Sequence, residues 1–300
     1  MNFEGTPLVS VLMTSFNREK YIAEAIKSVL ASTYKNFELI IADDASYDST
    51  VEIAKKYEHA DSRVKVYANP ENLGQFANRN KAAEYASGKY IKYFDSDDVL
   101  FPHALETMVE SMEKYPEAGA GLIYYNDHLK KATPLIFTPR ECYINHYFKG
   151  ITFLTVGPSG SIFVRKIFEE MGRFDTTSGI LADTLLMLRI AAIYPIVGIE
   201  KDLFHWRMHD EQVTEGQKNI YEMIAERYSI NQKVLAADRS PLSEVEKKMV
   251  KRNLKNIVIR TFPRIIFKIP LDKSFKLFKL VGVNATDILS SFFPNRTINH

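Results

Sequence analysis

The chain has 300 residues, 46% apolar and 25% charged, with a formal net charge of +2. That balance is ordinary for a soluble globular protein with a sizeable core, and the overall charge gives no pointer to nucleic acid. A single cysteine, Cys142, excludes an internal disulfide and a structural zinc site, and no role is expected of it. Met1 to Pro7 carry an acid and no basic leader, and no apolar run reaches the roughly eighteen residues of a membrane span. The cytosol is the expected compartment.

The first 126 residues alternate strand and helix. Leu8–Thr14 is an apolar run. Tyr21, Ile22, Ala25, Ile26 and Val29 recur at helical spacing over Arg18–Leu30, with Asn17 placed to cap them. Phe37–Ala42, Val64–Ala68, Tyr90–Phe94 and Leu122–Tyr125 read as further strands. Ser49–Tyr57, Gln75–Ala86 (stopped by Gly88) and His103–Tyr115 (with Pro102 near its first turn) read as helices. Residues 127–157 look irregular and aromatic, and Gly157–Gly160 is a turn. Ile167–Met171, Thr184–Ile193 and Ile220–Ala236 read as helices. Between Lys247 and Lys279 stand eleven Lys or Arg and one acid, Asp272, so a boundary is placed near residue 240.

Strands spaced by helices imply a mostly parallel sheet covered on both faces, with ligands at the carboxyl ends of its strands. Three strand ends are polar. Thr14, Ser15 and Asn17 follow the first, Asp43 and Asp44 the second, and Asp95, Asp97 and Asp98 the fourth. A hard divalent cation is commonly held by one or two carboxylates, with substrate phosphate completing its shell. Asp95-Ser96-Asp97-Asp98 supplies such a corner. A helix start is the competing reading, but capping needs one Asp, and Asp98 can serve both. Asp43 or Asp44 can accept from a uracil imide or from ribose hydroxyls, whereas Asp48 or Ser49 suits the following helix as a cap. No G-x-G-x-x-G follows the first strand and no G-x-x-x-x-G-K-[ST] occurs, so neither a dinucleotide site nor a P-loop is expected. Arg79 reads as a base or diphosphate contact or as a surface ion pair.

Together these features resemble the family-2 glycosyltransferases of the GT-A fold. The resemblance runs from Val9-Ser10-Val11-Leu12-Met13-Thr14-Ser15-Phe16-Asn17-Arg18, through Asp43-Asp44-Ala45-Ser46, Asn69-Pro70-Glu71-Asn72-Leu73-Gly74 and Ala77-Asn78-Arg79-Asn80, to Asp95-Ser96-Asp97-Asp98. Gly172-Arg173-Phe174-Asp175 and the late Arg207, His209 and Gln212 continue it. Motif order over residues 6–215 is its most specific feature. It implies an α/β, Rossmann-like GT-A domain over 1–240, with a nucleotide-binding half (1–126) and an acceptor-binding half (127–240), then a basic amphipathic helical tail (241–300).

The resemblance implies nucleotide-binding roles for Thr14, Ser15, Phe16, Asn17, Asp43, Asp44, Arg79, Asp95 and Ser96, with uridine the usual nucleoside. It implies Mn2+ or Mg2+ at Asp97, with Asp95 and His209 alongside, and Asp183 as general base. Asp98, Ser159 and Trp206 are acceptor-side candidates. Alternatives stand beside several of these. Asp183 precedes Thr184-Leu185-Leu186 and also reads as a helix cap, His209 as a structural histidine, and Trp206 as a core residue. Where the family usually has Glu-Asp, this chain has Ala182-Asp183.

The implied activity is inverting transfer of a sugar from a nucleoside-diphosphate sugar to a saccharide or lipid-linked acceptor, as in bacterial surface-polysaccharide assembly. A nucleotidyltransferase would show a glycine-rich loop where Thr14-Ser15-Phe16-Asn17 has none. A glycoside hydrolase needs no nucleotide loop. A non-catalytic nucleotide-sugar-binding or scaffold protein of the same fold is the alternative, favoured by Ala182 and opposed by Asp97 and Asp183. The basic stretch 247–279 fits peripheral association with an anionic membrane face, a solvated helix or a homodimer contact. Nucleic acid is not expected, because no recognition motif accompanies the charge.

Overall fold

The computed structural model describes residues 5–124, 133–151, 153–209, 220–265 and 271–284. Tyr125, Gln212 and residues 266–270 of the basic stretch lie outside the described residues. By its contacts the chain divides into two compact units: Met1–Thr177 with Ala182–Asp210, and Ser178–Leu181 with Glu211–His300. The composition changes near residue 240, but the contact boundary lies at 210, so the helix after it groups with the basic tail.

The first unit is built on an eight-stranded sheet. Its strands are β1 (Val9–Ser15), β2 (Phe37–Asp43), β3 (Val64–Ala68), β4 (Tyr90–Asp95), β6 (Ala120–Ile123), β7 (Leu135–Phe137), β8 (Ser161–Val164) and β9 (Ile196–Ile199), in the order β3-β2-β1-β4-β8-β6-β9-β7. The pairs β1–β2, β2–β3, β1–β4 and β6–β9 are parallel, whereas β8 and β7 run antiparallel to their neighbours. A small pair, β5 (Val99–Leu100) with β10 (Phe204–His205), brings the end of the unit back beside the β4 loop.

The strands form because their apolar residues are buried on both faces, as a helix-covered sheet requires. Val9, Val11, Met13, Leu39 and Ile41 share one core with Ile22, Ala25, Ile26 and Val29 of α1 (Ile22–Leu30) and Ala104, Leu105 and Met108 of α4 (Ala104–Glu113). On the other side Tyr93 packs edge-on against Phe163 and Phe174, at 6.3 and 5.2 Å between ring centroids. Gly88 lies so close to β1 that an added Cβ would stand 2.6 Å from the Leu8 carbonyl and 2.7 Å from the Ser10 nitrogen, so no other residue fits there. The helix before it, α3 (Gln75–Glu84), ends earlier than Gly88.

Two expectations change and one open choice is resolved. Asn17 does not cap α1: it turns left-handed at φ 53°, and its side chain accepts from the Tyr47 backbone N–H at 3.1 Å, tying the β1 loop to the β2 loop. α1 begins at Ile22 after a turn in which Arg18 O accepts from Tyr21 N and Ile22 N. Of the two expected caps of α2 (Thr50–Ala60), Ser49 holds the N-cap position without a side-chain bond, and Asp48 before it accepts from Thr50 N at 3.0 Å. The supposedly irregular stretch holds β7 and the helix α5 (Pro139–Phe148). A capping box between Thr138 and Glu141 starts that helix, with Pro at its first turn. It buries Cys142 completely, and burial pushes the thiol up to about 12, leaving it inert. α6 (Arg165–Glu170) and α7 (Ala182–Ala191) complete the unit.

The second unit contains α8 (Ile220–Leu235), α9 (Glu244–Ile265) and α10 (Leu271–Val281). Val258, Leu277 and Val281 form its small core, with Ile224, Ala225, Tyr228 and Val283 packed against them. Among the described residues no helix is long and apolar enough to cross a membrane.

Candidate active site

The parallel register sets the site. Thr14 lies opposite both Ala42 and Asp95, and Ser15 opposite Asp43, so the ends of β2, β1 and β4 present their polar residues together. This is the point where the strand order reverses about β1.

At the β2 end the two acids have different tasks. Asp43 is buried and accepts from Ser15 Oγ at 2.8 Å, Ser46 Oγ at 2.6 Å and Ser46 N at 2.8 Å. Asp44 is buried and accepts from Asn69 Nδ2 at 3.0 Å, Leu73 N at 2.8 Å and Gly74 N at 2.9 Å. It therefore clamps the loop that leads into α3, where Gly74 takes a φ of 87°. Asp44→Ala removes an acceptor from three donors, of which Gly74 N keeps Asn72 Oδ1 and Asn69 Nδ2 keeps Asn78 Oδ1, and is expected to lower the unfolding free energy by about 2 kcal/mol. Urea denaturation checks this, and an unchanged midpoint would remove the clamp from the account.

Phe16 and Tyr47 stand at the mouth, 40% and 86% exposed, in a T-shaped pair with centroids 6.2 Å apart. Arg79, on α3, is only 3% exposed and donates from Nη2 to Asp95 Oδ1 at 2.6 Å. Its Nε and Nη1 are buried with no partner. Unpaired buried N–H groups are costly, and a ligand oxygen would satisfy them.

Asp95 is held on both oxygens, since Ser159 Oγ donates to its Oδ2 at 3.0 Å and accepts from its backbone N at 3.2 Å. Burial raises the Asp95 pKa, but the Arg79 guanidinium and the Ser159 hydroxyl outweigh it and keep the carboxyl below its ordinary range. Ser96 is buried beside it. Ser159, a candidate on the acceptor side, has its hydroxyl committed to Asp95. Asp98 is not a cap, because the residue preceding α4 is His103. It accepts from Arg207 N at 3.1 Å, and burial, reinforced by the charges of Asp95 and Asp97, pushes it up to about 7.

Asp97 Oδ2 meets two groups, Arg18 Nε at 3.0 Å and His209 Nε2 at 3.1 Å. His209 stacks on Tyr21 with centroids 4.5 Å apart, and Arg207 lies over the same ring at 5.1 Å. Asp95 is turned to Arg79 and Ser159 and does not join this pair. Among the described residues no three His, Cys, Asp or Glu side chains converge as a closed metal cage. The donor set nevertheless fits a hard cation that takes the rest of its shell from substrate. Asp97 Oδ2 would be the oxygen ligand of such an ion, with the His209 ring beside it.

Asp183 is half-buried in the first turn of α7, one residue inside the helix, and accepts from the N–H of the next residue, Thr184, at 2.6 Å, which is not an N-cap contact. Burial pushes its carboxyl up to about 6, against the Thr184 N–H and the Arg79 charge. Ala182 before it is fully buried. Trp206 is not a core residue, being 56% exposed, and Met208 is 80% exposed. Two residues of this site escaped the sequence reading. Arg18 looked like the first residue of a helix, and Lys92 like one more position in a strand.

The Escherichia coli protein named "UDP-Glc:alpha-D-GlcNAc-diphosphoundecaprenol beta-1,3-glucosyltransferase WfgD" is 43% identical over 107 residues, which are 36% of this chain and 42% of that one. The chain spans about half the length, or less, of curated relatives it matches. Among solved structures, S. aureus TarS 1-349 in complex with UDP-GlcNAc superposes with a TM-score of 0.69 at 20% identity, covering 94% of this chain and 81% of that one. The mannosyltransferase PcManGT from Pyrobaculum calidifontis, in complex with GDP-Man and Mn2+, does so with a TM-score of 0.65 at 15% identity, covering 96% and 84%. The fold is therefore GT-A, a mostly parallel sheet flanked by helices. The model described as "Glycosyl transferase family 2" matches residues 10–172, more than half of the chain, and the protein belongs to that family.

Proposed function

We propose that the protein transfers a sugar from a UDP-sugar to a saccharide or lipid-linked acceptor, inverting the anomeric carbon, in the assembly of a surface polysaccharide. The observation that carries this reading is the pairing of two half-built contacts on one sheet edge. Asp97 Oδ2 and His209 Nε2 meet at 3.1 Å, and the buried Arg79 has two nitrogens, Nε and Nη1, without hydrogen-bond partners among the described residues. The UDP-GlcNAc complex of TarS and the UDP-Glc donor in the name of WfgD support the choice of nucleotide.

The roles follow from the chemistry of each group. Phe16 offers an apolar ring to the base, and Ser15, Asn17, Asp43 and Arg79 offer polar contacts around the nucleoside. Asp95 and Ser96 lie on the ribose side. Asp97 and His209 would hold Mn2+ or Mg2+, which when bound supplies positive charge against the donor diphosphate. The acceptor oxygen attacks C1 from the face opposite the diphosphate, the C1–O bond to phosphate breaks, and the diphosphate leaves with the electron pair. Asp183 takes the acceptor proton. A carboxylate raised to about 6 is still ionised at neutral pH and is a stronger base than an ordinary aspartate. Trp206, exposed beside Arg207, is placed to stack on an acceptor sugar.

Titration calorimetry with UDP and with GDP, each with Mn2+, Mg2+ or EDTA, tests the donor. UDP binding that requires a divalent ion is expected. Absence of binding by either nucleotide under every condition would overturn the reading.

The charge of the tail supports a site of action at the cytoplasmic face of a membrane. Val245 and Met249 are exposed on α9, in a region that carries eleven Lys or Arg between 247 and 279. Co-sedimentation with phosphatidylglycerol vesicles is expected and should weaken with salt. Equal binding to neutral phosphatidylcholine vesicles would argue against it.

A further inference from the structure

Lys92 is the charged residue of β4 to which the donor site gives no role. It faces Val11 across the β1–β4 pair and is completely buried. By strand alternation it shares a face with Tyr90 and Phe94, both in the hydrophobic core. A methionine or leucine there would bury without a desolvation cost, so a charged side chain needs a reason.

The ammonium has specific partners. It donates to the carbonyl of Tyr93 at 2.9 Å and to the carbonyl of Ser159. It lies 5.8 and 5.7 Å from the ring centroids of Phe94 and Phe204. Among the described residues no carboxylate reaches ion-pair distance, yet Asp95 and Asp98 act on it from above. Burial draws its pKa down to about 7, and those two charges oppose the shift.

Ser159 sits in a short 3-10 turn, Pro158–Gly160. The turn is fastened on both sides. Lys92 holds the Ser159 carbonyl, and the Ser161 hydroxyl donates to Gly157 O at 3.0 Å. From that turn the Ser159 hydroxyl bridges the backbone and the carboxylate of Asp95. Arg79 holds the other carboxylate oxygen.

We infer that Lys92 is a positioning residue for nucleotide binding: it fixes the Ser159 turn from beneath and so orients Asp95 toward the nucleoside. This rests on the donor-site reading above.

The test is a double-mutant cycle of Lys92→Met and Ser159→Ala, read by calorimetric Kd for UDP with Mn2+, with thermal melting of each variant alongside. Methionine has nearly the shape of lysine and no charge to bury, so the fold is expected to survive. Lys92→Met should weaken UDP about ten- to thirtyfold, the range of one hydrogen bond to a charged group. Ser159→Ala should do the same, and the double variant should be little worse than either, because both act through one contact. A folded Lys92→Met with wild-type UDP affinity overturns the inference, as does an additive double variant. Should Lys92→Met not fold, unchanged UDP affinity in Ser159→Ala overturns it equally. A wild-type protein that binds no UDP instead overturns the donor-site reading itself, and the inference with it.

Discussion

Asp183→Asn is expected to lower kcat by about 10²–10⁴-fold, the usual contribution of a positioned general base, and to leave UDP affinity unchanged. Asparagine keeps the oxygen that accepts from Thr184 N, so the α7 start should survive and only the proton acceptor is lost. In the wild-type protein the same carboxylate should govern the acid limb of the pH–rate profile. Protonation begins as pH falls toward about 6, and below that kcat/KM should fall about tenfold per pH unit. Stability should move the opposite way. The folded pKa lies above the unfolded value of about 3.9, so the fold favours the neutral acid. That stabilisation is full below about pH 4 and is lost as pH rises through the folded value. Asp183→Asn should therefore melt higher than the wild type at pH 8 and close to it at pH 4. An asparagine variant with wild-type turnover would end the base assignment, and one that loses UDP binding together with turnover would reduce Asp183 to a structural residue.

Asp97→Ala carries the second large effect. Removing an outer hydrogen-bond partner of a metal ligand typically weakens metal binding by about 10–100-fold, so loss of a ligand should reach or pass the upper end. UDP affinity in Mn2+ should then fall to the value measured in EDTA. Arg18 and His209 share Asp97 Oδ2, so the variant leaves both without that partner. His209→Ala should give a smaller loss in the same assay. Retained metal-dependent UDP binding in Asp97→Ala would move the cation elsewhere, with Asp95 the next residue to examine by the same measurement.

The first half of the fold was legible because β1, β2 and β4 are largely apolar runs buried on both faces, β3 alternates buried and exposed residues at the sheet edge, and helices of ordinary length separate them. The second half was not, and the reasons are local. β8 and β9 have four residues each, and β5 and β10 two, too few to show a period. The start of α5 was readable in Thr138-Pro139-Arg140-Glu141, but its buried residues are Cys142, Tyr143 and Asn145, not an apolar stripe. At the site, strand ends rich in acids announced themselves. The division of labour did not, because Asp43 and Asp44 are adjacent in sequence and only their partners separate them, Ser15 and Ser46 for the first and the loop into α3 for the second. Arg18 and Lys92 acquire meaning only from what they touch, Asp97 in one case and the Ser159 turn in the other.

The pairing of β1 with both neighbours makes that strand the ruler of the active site. Each residue advances a strand by about 3.3 Å and alternates its side chains between faces. Losing one residue between Val9 and Met13 would draw Thr14 back from Asp95 and Ser15 from Asp43 in a single step, while turning core side chains to the wrong layer. Changes in the length of the connecting loops meet no such penalty. New substrate preferences can therefore arise by exchanging loops around a frame whose strand lengths stay fixed.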